Sequence, residues 1–213
     1  MKCKLKHPLR YYIKRYLFLA VGLAIMAFGV AFSIKAALGT SPISSLPYVV
    51  NLLTPLSVGT ATILMHCVFI LIQICILRRK FQPVQLMQLP VALMFGYLTD
   101  FGIWAIERIP CEGYLMQWVF CVIGIVLVAV GVSFEVTANV VVLAVCQVCP
   151  IKFGTMKVIF DVSLVVIASA LSLVFLNRLE GVREGTVAAA LFVGTISRQL
   201  NKPLGKLGEK ILN

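Results

Sequence analysis

The chain has 213 residues, of which 61% are hydrophobic and 13% charged, and its mean hydropathy is +1.01. A soluble globular domain does not carry so little charge and so much apolar sequence. The formal net charge of +11 does not point to nucleic acid. The basic residues stand in short flanks between apolar runs, the arrangement expected of cytoplasmic loops, with anionic lipid headgroups as secondary partners.

The first flank holds Lys2, Lys4, Lys6, Arg10, Lys14 and Arg15. The apolar run behind it, Tyr16 to Leu38, is longer than a signal-peptide core and lacks a small-residue cleavage site, so a retained membrane helix is expected. Apolar length and breakers then predict long helices at about Tyr16 to Ala37, Ser57 to Leu77, Val84 to Ile106, Tyr114 to Val136, Gly154 to Leu176 and Gly185 to Leu200. Two shorter pieces remain, Gly39 to Leu56 and Thr137 to Pro150. The expected fold is all-α: one polytopic bundle of about six full-length helices and two short broken or re-entrant segments, with no separate soluble domain.

The two short pieces follow the first and fourth long helices, which suggests a repeat. "GVAFSIKAA" from Gly29 resembles "GVSFEVTAN" from Gly131, "VGT" ending at Thr60 matches "FGT" ending at Thr155, and "ALMFG" ending at Gly96 matches "ALFVG" ending at Gly194. Three matches in one order predict an internal duplication with halves of about 16–106 and 114–200. Charge orients it. With the first flank and Arg78, Arg79 and Lys80 all cytoplasmic, an even number of crossings separates them, so Gly39 to Leu56 enters and leaves on one side. The basic C-terminus, with Arg198, Lys202, Lys206 and Lys210, returns inside. The expectation is a multi-pass protein of the bacterial cytoplasmic membrane with inverted halves and both termini inside.

The first short piece, "KAALGTSPISSLPYVVNLLTPLSVGT", concentrates residues that disrupt a helix. Pro42, Pro47 and Pro55 lack an amide donor, and Gly39 and Gly59 tolerate strained backbone, as does Gly154 at the corresponding place in the second half. Irregular backbone at membrane depth is tolerated where it is buried in protein or lines a wet cavity. Interrupted helices in matching halves point to a transporter's binding site. An ordinary surface loop is the competing reading.

At "KAALGTSPISSLPYV", "LRRKFQPVQLMQLPVALMFGYLTDF", "FGTMKVIFDVSLV" and "GVREGTVAAALFVGTISR" the chain resembles the YczE/YyaS/YitT-like group of bacterial integral membrane proteins, in its domain-of-unknown-function branch. The resemblance covers most of the chain and implies a membrane protein without implying a substrate. Many relatives have an acidic residue soon after the Ser-Pro, where this chain has Ser44 or Ser45. The branch's Gly- and Glu-containing turn is replaced here by "LAVCQVCP".

Ionisable groups within the bilayer suggest function. Lys35 ends the first helix and Glu135 takes the equivalent place on the fourth, where both also suit headgroup contact. Asp161 lies two turns beyond Gly154 and aligns with His66, a pair suited to proton relay or to separate hydrogen bonds between helices. Asp100 and Arg198 also correspond, near helix ends, as boundary markers or ion-pair members. Ser41, Ser44, Ser45, Tyr48 and Asn51 offer neutral groups suited to a small polar solute or an ion. The cysteines read as packing residues, "CQVC" at Cys146 to Cys149 included. Neither a metal site nor a cofactor is expected, and no enzymatic motif is present. The expected function is a small-solute secondary transporter or exporter. A membrane assembly or regulatory partner and a passive channel are the alternatives, and a homodimer is compatible with each.

Overall fold

The computed structural model describes residues 9–78, 86, 88–138 and 153–212. Seven α-helices run through them: α1 Leu9–Ala36, α2 Pro42–Leu53, α3 Val58–Leu77, α4 Gln88–Ile106, α5 Tyr114–Ala138, α6 Phe153–Leu176 and α7 Glu184–Leu212. Four are long and apolar enough to cross a membrane, over Tyr16–Ala36, Val58–Ile76, Gln88–Ile106 and Tyr114–Glu135. The chain is an all-helical membrane bundle. All six long helices form where the apolar runs predict them, except that α1 begins at Leu9 rather than Tyr16 and α7 continues past Leu200 to Leu212 with Pro203 inside it. Residues 139–150 of the second short piece, "CQVC" among them, lie outside the described residues.

Apolar side chains point outward as well as inward. Leu64 and Leu71 on α3, Tyr97 and Trp104 on α4 and Leu115 on α5 are all more than half exposed, as suits helices whose solvent is lipid. Between helices the seams are built from small residues, because in lipid the helices associate by close packing rather than by escaping water.

The central seam joins α1 and α5, which run antiparallel. A Cβ at Gly22 would meet Phe134 at 2.5 Å and the carbonyl of Gly131 at 3.3 Å, and one at Gly29 would meet Val128 at 2.7 Å and the carbonyl of Gly124 at 2.9 Å. Phe18 stacks on Phe134 with ring centroids 4.5 Å apart, and at the other end Phe32 meets Phe120 at 5.4 Å. Around this pair α4 lies parallel to α1, through Gly102 against Ala27 and Ala31. Likewise α7 lies parallel to α5, through Gly185 against Cys121 and the hydroxyl of Ser133 at the carbonyl of Ser197. Antiparallel to α4 runs α3, seamed by Gly59 and Gly96, where a Cβ on Gly96 would meet the Gly59 carbonyl and Ile63 at 2.7 Å.

These directions put the C-terminal ends of α1 and α4, the start of α5 and the start of α7 at one end of the bundle. Both ends of α2 belong there too. Its start is tied to the α6–α7 connection by the Thr40 amide at the Gly181 carbonyl, 3.1 Å. The turn after it reaches α4 at Asp100, six residues or about 9 Å of helix rise before α4 ends. The 12-residue α2 thus begins and ends beside elements of one end of the bundle, packed on α3, α6 and α7.

Of the residues expected to break helices, Gly39 has φ +99 in the α1–α2 turn, Pro42 opens α2, and Pro55 separates α2 from α3. Pro47 and Gly59 do not interrupt a helix. Pro47 sits within α2, Gly59 lies in the first turn of α3 as a close-approach residue, and Gly154 lies in the first turn of α6.

Candidate functional site

Four buried polar residues stand together at the beginning of α2. Thr40, Ser41, Ser44 and Ser45 are all at most 5% exposed. Ser41 occupies the N-cap with extended backbone (φ −61, ψ 151), and Pro42 follows at the first helical position, where a missing amide hydrogen costs nothing. Ser41 does not cap with its side chain; its hydroxyl donates to Ser44 Oγ at 3.1 Å. Ser45 Oγ donates to the Pro42 carbonyl at 2.7 Å, and Thr40 Oγ1 to the Ser41 carbonyl at 3.4 Å. Three serines are therefore stacked on one buried helical turn, a set of neutral donors and acceptors held away from lipid.

The connection before α7 holds this turn in place. The Gly185 amide donates to the Leu38 carbonyl at 2.8 Å, and the Arg183 guanidinium to the Ala37 carbonyl at 3.1 Å. At Gly39 the Arg183 backbone approaches so closely that a Cβ would meet its amide nitrogen at 2.7 Å, and the positive φ independently demands glycine. Gly181 is pressed against Tyr48 and Val49 of α2, each 3.0 Å from where a Cβ would stand. Below it, Ser172 Oγ donates to the Arg178 carbonyl at 2.6 Å and accepts the Glu180 amide at 2.8 Å, shaping the loop that presents Gly181.

The far end of α2 is fixed by two further devices. Asn51 Nδ2 donates to the Leu56 carbonyl at 2.6 Å, closing the turn toward α3. Ser57 caps α3, its hydroxyl oxygen accepting the Thr60 amide at 3.1 Å. Asp100 of α4 then clamps this cap: one carboxylate oxygen accepts the Ser57 hydroxyl at 2.6 Å, the other the Gly59 amide at 2.7 Å. A carboxylate at a helix N-terminus satisfies orphan donors and complements the helix dipole.

Among the sequence candidates, Ser41, Ser44 and Ser45 are brought together, with Tyr48 and Asn51 further along the same helix. Lys35 is held elsewhere, its ammonium donating to the Glu107 carbonyl at 2.8 Å. Glu135 is half-buried on α5 beside Phe134, about 25 Å of helix rise from Lys35 at the opposite end of the α1–α5 pair. These two do not share a site. His66 and Asp161 are both half-buried, and Phe69 of α3 meets Phe160 of α6 edge-on at 5.1 Å between them. His66 itself lies edge-on to Phe69 at 6.1 Å.

Two features escape a reading of the sequence. The Asp100 clamp joins residues more than 40 positions apart, although the cap Ser57 with Thr60 three residues later is a visible helix-start signal. The grip of Arg183, Gly185 and Gly181 on the α2 turn likewise depends on distant parts of the chain.

A helical membrane bundle with one short helix packed beside its long ones is the class that this geometry defines. Within it, residues 13–202 match the family of unknown function DUF6198, and the chain belongs to that family. It is also similar to the "Uncharacterized protein YyaS" of Bacillus subtilis (strain 168), with 25% identity over 120 residues. That match covers 56% of this chain and spans 58% of the relative's length. The resemblance read from the sequence motifs is borne out by both. No solved structure matches.

Proposed function

We propose that the protein is a secondary carrier for a small polar solute or ion in the bacterial cytoplasmic membrane, with the buried serine turn of α2 as part of its binding site. The observation that carries this reading is α2 itself, a short proline-containing helix whose two flanks are tied to the α6–α7 connection and to Asp100 of α4, which supports a segment that enters and leaves on one side. Discontinuous helices at a repeat interface build the midplane sites of many carriers, where exposed helix ends and backbone groups meet the solute.

The repeat is supported by the central seam. An offset of 102 residues carries Phe18, Gly22, Met26, Gly29 and Phe32 of α1 onto Phe120, Gly124, Val128, Gly131 and Phe134 of α5. Under that offset the Gly22–Gly131 approach exchanges with Gly29–Gly124, Met26–Gly131 with Val128–Gly29, and Phe18–Phe134 with Phe32–Phe120. Reciprocal pairing of this kind is the signature of a two-fold relation. Between antiparallel helices it supports inverted halves, with the axis in the membrane plane. Among the described residues the start of α1, Arg78 and the basic end of α7 lie opposite the α2 turn, which favours that end as cytoplasmic.

The test is ligand-dependent stability followed by flux. Purified full-length protein is heated with individual metabolites, amino acids and inorganic ions, and a binder is recognised by a melting midpoint that rises with its concentration. The binder is then followed into proteoliposomes. A carrier accumulates it against a gradient of the coupling ion and loses most of that activity as Ser44→Ala with Ser45→Ala. Accumulation that is equal with and without the protein contradicts the proposal, and passive equilibration without gradient dependence replaces it with a channel.

A further inference from the structure

We infer that α6 has a second resting place on α7, and that the chain exchanges between two packings in which α3 on α4 and α6 on α7 close alternately. This inference rests on the inverted repeat proposed above. Most of the packing obeys that repeat, since α1 on α4 corresponds to α5 on α7, both parallel. One pair does not. The tight antiparallel seam of α3 and α4, Gly59 against Gly96, has its counterpart by sequence in Gly154 of α6 against Gly194 of α7. Yet Gly194 is exposed, with nothing among the described residues within 4 Å of where its Cβ would stand, and Thr195 and Arg198 beside it are exposed as well. Instead, α6 leans on α2.

The difference between the halves has a chemical origin. Asp100 latches the first half shut by accepting the Ser57 hydroxyl and the Gly59 amide. The matching residue of the second half is Arg198, whose guanidinium has no acceptor to offer a helix N-terminus. One half is therefore closed by a carboxylate that the other half does not carry at the matching position. Because α2 packs against both α3 and α6, it stands between these two helices and links their positions. In the other packing Gly194 serves the seam that Gly96 serves here.

Cysteine cross-linking in membranes tests this on the full chain with its seven native cysteines replaced. Gly154→Cys with Gly194→Cys is oxidised, and Phe153→Cys with Thr195→Cys serves as a second pair if the first does not fold. A disulfide requires Cα atoms within about 4.4–6.8 Å. The expected result is an intramolecular disulfide that forms several-fold faster when Asp100→Asn weakens the first-half latch. Two results overturn the inference: no disulfide in either background from protein with an unchanged melting midpoint, or a disulfide found only between chains, which would assign the bare face to a second copy. Solute flux on the same membranes separates the two ideas. Flux without cross-linking removes the exchange alone, whereas cross-linking without any solute flux keeps the exchange and removes the carrier.

Discussion

Asp100 shows how one carboxylate can set the geometry of several elements. Its two oxygens accept from Ser57 and Gly59, which fixes the start of α3, the turn leaving α2 and the face of α4 in one step. In lipid the donors it satisfies would otherwise have few partners. Replacing it with Leu leaves the Ser57 hydroxyl and the Gly59 amide unpaired, so Asp100→Leu is expected to lower stability by about 1–3 kcal/mol. Asp100→Asn keeps one acceptor oxygen and is expected to lose less. Ser57→Ala removes the cap as well as one of the clamp's donors, at a cost of about 0.5–2 kcal/mol. Thermal unfolding in detergent orders the three, and equal stability of Asp100→Leu and wild type would show that the clamp contributes nothing.

At the scale of the element, Gly96 and Gly194, which correspond in the proposed repeat, differ sharply in surroundings. A side chain at Gly96 would meet the Gly59 carbonyl and Ile63 at 2.7 Å, whereas one at Gly194 meets open space. Gly96→Val is therefore expected to force α3 and α4 apart, at about 1–3 kcal/mol or more for overpacking, while Gly194→Val leaves the melting midpoint nearly unchanged. Matched midpoints for the two variants would contradict the seam. The long helices were legible because apolar length is a local signal: the breakers near Ser57 and Tyr114 mark the starts of α3 and α5 to within a residue, and the run from Tyr16 marks the membrane span of α1, whose helix begins seven residues earlier at Leu9. The course of α2 was legible only as an interruption, since prolines and glycines announce irregular backbone without saying how it folds. Pro47 illustrates the limit. Its ring is tolerated inside α2, surrounded by α3, α6 and α7, and no local rule distinguishes it from Pro55, which does end a helix. The serine cluster was legible by composition, while its burial depends on Gly181, Arg183 and Gly185, residues more than 130 positions away.

For the molecule as a whole, charge and connectivity agree. Arg78, the start of α1 and the basic end of α7 lie at one end of the bundle, and the stretches 107–113 and 177–184, which together hold four acids and three bases, lie at the other. Everything proposed about function depends on α2 returning to the end at which it entered. The most direct test places a single cysteine at Ala37, before α2, or at Thr54, after it, both exposed positions, in an otherwise cysteine-free chain. A third variant carries the cysteine at Arg79 as the cytoplasmic reference. Intact cells are treated with a membrane-impermeant maleimide before and after permeabilisation. The account predicts that Ala37→Cys and Thr54→Cys both react in intact cells and that Arg79→Cys reacts only after permeabilisation. Labelling of Ala37→Cys and Thr54→Cys from opposite sides would mean that α2 crosses the membrane, and would contradict the re-entrant helix on which the binding site is built.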